Sequence, residues 1–143
     1  MACPFCDEKI KDLTFLESKN FRSVYNISPL LEGHSLIMPK RHVETTFDLN
    51  GEELKEMLEL TNKTTKLLLK KFGGDGFDWV LMSGDVAGSR IPHTHLHVFP
   101  RMKSDGFSDP REFFFKLLEV EKSKDRKGLT SKQLADIVLK LKS

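Results

Sequence analysis

Apolar and polar positions alternate between residues 14 and 27, and Phe21, Val24, Tyr25 and Ile27 favour an extended chain. Residues 21 to 27 are therefore expected as a strand, closed by the Ser28-Pro29 break. After a turn around Pro29 to Gly33, the run His34-Ser-Leu-Ile-Met-Pro39 has strand length and composition, so the two runs predict an antiparallel hairpin. Leu54, Met57, Leu58, Leu60, Thr61, Thr65, Leu68 and Leu69 then recur near a 3.6 period. With Asp48 or Asn50 as cap and Gly73-Gly74 as the stop, they predict a principal amphipathic helix ending near residue 72. Residues 77 to 82 read as a strand and residues 83 to 90 as a flexible loop. Two helices should close the chain, from Asp109-Pro110 to about Ser123 and from Thr130 to Leu141, the second with a stripe of Leu134, Ile137, Val138 and Leu141.

The most informative pattern is His93-Thr-His-Leu-His-Val-Phe-Pro100, read as a strand. Side chains two apart on a strand share a face, about 7 Å apart, so three imidazoles line one surface while Thr94, Leu96 and Val98 point to the other. Three of the chain's five histidines fall within five residues. The pattern leaves two chemistries open, a metal ligand set and a nucleophilic imidazole. The loop before it, Ser83-Gly-Asp-Val-Ala-Gly-Ser-Arg90, has glycines and short side chains that let backbone amides approach an anion, and serves equally well as an ordinary hairpin connection.

With 143 residues the chain is long enough for one domain with a core. Hydrophobic residues at 38% and charged residues at 31% describe an ordinary water-soluble chain without a membrane-spanning run. Met-Ala-Cys-Pro-Phe-Cys-Asp-Glu-Lys lacks the features of a secretory signal, so a cytoplasmic location is expected. A net charge of +2 is too small to argue for nucleic acid, although residues 101 to 143 are mildly basic. The glycines form neither a dinucleotide fingerprint nor a Walker pattern.

Both cysteines lie in Cys3-Pro-Phe-Cys6. A redox dithiol should sit at a strand-to-helix junction, and no strand precedes this pair. Half of a zinc site is the better reading. A tetrahedral site needs two further ligands, for which histidines are the candidates, and an incidental pair remains an alternative.

Gly33-His-Ser-Leu-Ile-Met-Pro39-Lys-Arg-His42, followed by Ala87-Gly-Ser-Arg-Ile-Pro-His93-Thr-His-Leu-His97-Val-Phe-Pro-Arg101, resembles the histidine triad family of nucleotide hydrolases and transferases. The resemblance covers roughly residues 3 to 101 and accounts for all five histidines. It implies an α+β fold, in which a curved antiparallel sheet carries the triad and one long helix packs against it. A domain over residues 1 to 108, a helical extension over 109 to 143 and a homodimer follow from the same reading. It also implies that His95 attacks an α-phosphorus to form a nucleotidyl-histidine, while His97 hydrogen-bonds phosphate oxygens or the departing group. Asn26 would hold the ribose, Ile27 would begin the base pocket of a purine nucleotide or nucleotide conjugate, and His34 would orient a catalytic imidazole.

Members with an N-terminal C-x-x-C resemble the galactose-1-phosphate uridylyltransferase branch, which implies structural Zn2+ on Cys3, Cys6, His42 and His93. Three positions depart from the family pattern: Ser89 stands where a Gln is usual, Arg90 where a small hydroxyl residue is frequent, and Met82 where Asn is frequent. Ser89 and Arg90 would face the phosphates. Hydrolysis of a phosphoramidate or anhydride of a nucleoside monophosphate is the leading expectation. The alternatives are nucleotidyl transfer to a phosphate or sugar phosphate, a nucleotide-binding scaffold with little catalysis, and a triad that itself binds a catalytic metal.

Overall fold

The computed structural model describes residues 3–122 and 128–143. Strands β1 (Thr14–Glu17), β2 (Phe21–Tyr25), β3 (Ser35–Pro39), β4 (Gly76–Leu81) and β5 (Leu96–Arg101) form one antiparallel sheet in the order β1-β2-β3-β5-β4. The helices are α1 (Gly51–Phe72), α2 (Pro110–Lys122) and α3 (Ser131–Lys142). The expected end of α2 near Ser123 lies outside the described residues.

Period-two patterning decides which side of the sheet each side chain serves. Phe21, Tyr25, Ile37, Leu96 and Val98 join Met57, Leu60 and Leu68 of α1 in the main core, which also takes Leu134, Val138 and Leu141 of α3. Val24, Leu36 and Met38 point to the opposite face and pack with Ile10. On that face Phe99 meets Phe113 and Leu117 of α2. β2 and β3 are consequently buried on both sides, and β5 nearly so. The helix α1 begins with a reciprocal cap: Glu53 N–H donates to Asn50 Oδ1 at 2.8 Å, and Asn50 N–H to Glu53 Oε1 at 3.1 Å.

Several boundaries differ from the sequence reading. The strand expected over 21 to 27 stops at Tyr25, because Asn26 Oδ1 accepts the Ser28 N–H at 2.9 Å and turns the chain. The triad strand begins at Leu96 rather than His93: the His93 carbonyl accepts from the His95 ring and the Thr94 N–H donates to Val43 O. β1 and the 3-10 helix Glu8–Leu13 were not anticipated. No described helix is long and apolar enough to cross a membrane.

The β2–β3 connection is closed by Gly33, whose φ of +96° lies in the left-handed region, and its N–H donates to the Tyr25 hydroxyl at 2.9 Å. A Cβ there would overlap Pro100 of β5. Gly33→Ala is therefore expected to lower unfolding free energy by about 1–3 kcal/mol. A urea midpoint equal to that of the parent chain would contradict this account of the turn.

Candidate active site and metal centre

One cavity of about 390 Å³ opens on the face of the sheet that carries His95 and His97. Its walls include Asn26 and Ile27 from the end of β2, Arg90 and Ile91 from the loop before β5, and Phe5 and Ile10 from the N-terminal segment. Five of the predicted site residues, Asn26, Ile27, Arg90, His95 and His97, are thus brought together. His34 lies directly behind them. Ser89 is not part of the lining; its hydroxyl donates to Ile91 O at 3.4 Å. Met82, half-buried on the loop side, meets the backbone near Gly88.

Hydrogen bonds fix which ring nitrogen of each histidine carries a proton. His95 Nδ1 is 2.8 Å from the His93 carbonyl, which can only accept, so Nδ1 is the protonated nitrogen of the neutral ring. That leaves a lone pair on Nε2. Burial pushes the His95 pKa below the ordinary imidazole value, outweighing the opposite effect of the bond to His93 O, and so favours this neutral form.

A second relay sets His97. The Leu30 N–H donates to His34 Nδ1 at 3.1 Å, which makes Nε2 the protonated nitrogen of a neutral His34. His34 Nε2–H then donates to His97 Nδ1 at 2.9 Å, so neutral His97 carries its proton on Nε2. The Asn26 amide nitrogen, 3.3 Å from His34 Nε2, is also a donor, so with the proton on Nε2 this approach is not a hydrogen bond. The rings of His95 and His97 meet edge to face with centroids 5.0 Å apart. A lone pair and an N–H donor therefore stand side by side at one cavity wall.

His93 faces a different centre. Cys3, Cys6, His42 and His93 place their ligand atoms within 4.8 Å of one another and could hold a metal ion. His93 Nδ1 lies 3.4 Å from Cys3 Sγ and 3.5 Å from Cys6 Sγ, and His42 Nδ1 lies 3.4 Å from Cys6 Sγ. His93 Nε2 donates to the Pro39 carbonyl at 2.8 Å, which leaves Nδ1 unprotonated toward the sulfurs, the state a ligand needs. Burial is the largest influence holding the His93 pKa down, and the bond to Pro39 opposes it. Desolvation, and after it the neighbouring Cys3, push the Cys6 thiol up. A bound cation would reverse that tendency.

Sequence reasoning missed the N-terminal wall of the cavity. Phe5 and Ile10 lie beside or within three residues of Cys6 and Asp7, and nothing in their local pattern signals a ligand pocket; only the fold carries the segment across the triad face.

The HIT domain family model matches residues 7–104. An uncharacterized HIT-like protein of Methanocaldococcus jannaschii is 34% identical over 107 residues, 73% of this chain and 82% of that protein. A bis(5'-adenosyl)-triphosphatase of Dictyostelium discoideum is 34% identical over 83 residues, 58% of this chain and 56% of that protein, so the match spans little more than half of that relative. Among solved structures, a Plasmodium falciparum diadenosine triphosphate hydrolase in complex with cyclomarin A matches with a TM-score of 0.74 at 22% identity, over 92% of this chain and 75% of that one. At that identity the likeness is one of fold.

The division of the histidines predicts a specific pattern of metal content. Elemental analysis of the purified chain should find one ion per chain, lost in Cys3→Ser and His42→Ala and retained in His95→Ala. Loss of the ion on His95→Ala with retention in Cys3→Ser would reverse the assignment.

Proposed function

Because this chain belongs to the HIT domain family, which includes nucleotide hydrolases, we propose that it hydrolyses a nucleoside-monophosphate phosphoramidate or anhydride through a covalent intermediate on His95. The observation that carries the reading is the pair of tautomers: an Nε2 lone pair on His95 beside an Nε2–H on His97, in a cavity large enough for a nucleotide. His95 Nε2 attacks the α-phosphorus, the P–N bond forms and the bond to the leaving group breaks. Water then attacks the same phosphorus, the P–N bond breaks, the lone pair returns to Nε2 and the water's proton passes to solvent. His97 Nε2–H donates to the phosphoryl oxygens, stabilising the charge that grows on them. His34 and Leu30 hold His97 in the donating tautomer.

In this reading Asn26 takes the ribose, Ile27 and Ile10 enclose a purine base between apolar walls, and Arg90 supplies a cation to additional phosphates of a longer leaving group. Zinc suits the second centre. Around a tetrahedral zinc with Zn–S about 2.3 Å and Zn–N about 2.0–2.1 Å, S···N edges of about 3.6 Å are expected, close to the 3.4–3.5 Å spacings here. Two thiolates and two imidazoles are a structural donor set; the ion would tie the N-terminus to the sheet and take no part in the reaction. A reducing, cytoplasmic setting keeps such thiols available. We also assign a homodimer to this chain, supported by apolar side chains left exposed on α1, Leu54 and Leu58, and on the outer strand β4, Phe77 and Leu81.

His95→Ala should lower nucleotide release from adenosine 5'-phosphoramidate on the order of 10³-fold or more, as loss of a nucleophile does, and should abolish the acid-labile label that the parent chain retains after quenching with radiolabelled substrate. Turnover preserved in that variant would overturn the reading. The depressed His95 pKa sets the sign of the pH dependence. Protonation of Nε2 removes the nucleophile, so the acid limb of kcat/KM should fall below the ordinary imidazole value of 6.5, and a limb above it would contradict the assignment.

A further inference from the structure

The two cysteines of the metal centre flank Phe5, and Phe5 touches the proposed nucleophile. The 3-10 turn Pro4–Cys6 is closed by Cys6 N–H to Cys3 O at 3.0 Å and Asp7 N–H to Pro4 O at 3.4 Å. It has no side-chain cap and none of its residues is fully buried. Its cysteines are anchored to the body through the thiols, which face His93 and His42. From this turn the Phe5 ring meets His93 edge to face at 5.7 Å and His95 at 5.0 Å, with interplanar angles of 87° and 75°. Phe5 also lines the cavity together with His95.

Among the described residues the His95 ring has one hydrogen bond, Nδ1–H to the His93 carbonyl. That bond selects the tautomer, and the plane of the ring is left to its two edge-to-face neighbours, His97 and Phe5, each with centroids 5.0 Å away. His97 belongs to the sheet, whereas Phe5 comes from the N-terminal turn, so the Phe5 contact is the one through which that turn can influence the ring plane and the direction of the Nε2 lone pair. Without an ion, the turn that delivers Phe5 is held by thiol contacts that are weak hydrogen bonds at best. An ion held by Cys3, Cys6, His42 and His93 would tie both ends of the turn to the body of the protein.

We propose that Phe5 is a positioning residue for His95, and that an ion held by Cys3 and Cys6 keeps Phe5 in that contact, so that occupancy of the metal centre is read at the reacting imidazole. This rests on His95 being the nucleophile, which the His95→Ala experiment tests separately.

The test uses the full chain labelled with 15N-histidine. Long-range proton–nitrogen spectra report the state of each ring nitrogen, with the His95 signals assigned by their loss in His95→Ala. In Phe5→Ala, one ion per chain should be retained, the His95 signals should shift or broaden, and kcat should fall roughly 10- to 100-fold, in line with the sensitivity of rates to angström-scale misplacement, with KM changing less. Phe5→Tyr should restore both. Chelation should perturb His95 in the parent chain and add little in Phe5→Ala, because the contact is already lost.

Unchanged His95 signals in Phe5→Ala, or a rise in KM with kcat intact, would make Phe5 a wall of the base pocket only and overturn the proposal. Equal effects of chelation in both proteins would also overturn it, routing the coupling through His93 alone. If Phe5→Ala does not fold, Phe5→Leu carries the same comparison.

Discussion

The register between β3 and β5 is the constraint on which the rest of this structure depends. Ser35 stands opposite Val98, Leu36 opposite His97 and Ile37 opposite Leu96. This pairing places His34, at the entry to β3, beside His97, and places the Pro39 carbonyl, at its exit, against the ring of His93. A slip of one residue would turn Leu96 and Val98 away from the α1 core and bring His97 into it. The apolar packing on one face therefore locks the polar chemistry on the other. Arg101, paired with Asp78 and Asp105 and lying over the Phe113 ring at 4.2 Å, fastens the far end of the same strand to α2.

Three alternating histidines differ in their partners, and a backbone group sets each arrangement, directly for His93 and His95 and through His34 for His97. Carbonyls accept from His93 Nε2 and His95 Nδ1, while an N–H donates to His34. Main-chain groups are hard to reprotonate or displace, so the tautomers follow from the fold. The same reasoning explains why the strand begins late: the His93 carbonyl and the Thr94 N–H are spent on orienting a ring and on holding Val43, and neither joins the β ladder.

Patterns that repeat along the chain were legible from sequence. The α1 face, the β2–β3 hairpin and the stripe of α3 all emerged with the right character, and the fold matched the family resemblance; the triad was legible as a cluster, but only His97 of its three histidines lies on the strand. What was hidden depends on non-local partners. Glu8–Leu13 has no helical or strand period, and its place is set by Ile10 packing on Val24, Leu36 and Met38. β1 is four residues with a register shift between Thr14 and Leu16, too short and irregular for alternation to declare it. Phe5 carries no signal in the sequence because its neighbours, His93 and His95, are about ninety positions away. The destinations of α2 and α3 were likewise invisible: an amphipathic stripe announces that a helix will pack, and the sheet decides where.

The four-residue donor cluster also orders events in time. Cys3 and His93 are separated by 90 positions, so the cysteines leave the ribosome long before the set can be completed. A nascent chain offers only a loose dithiol until β3 and β5 have paired and brought His93 alongside Pro39. Closing a loop of that length costs entropy, and the β3–β5 pairing, which brings His93 alongside Pro39, contributes to meeting it. An ion captured there would bind the folded chain only, and the stability it added would scale with free ion concentration, following RT ln(1 + [L]/Kd). Resistance to unfolding would in that sense be a property shared between the chain and the metal supply of its surroundings.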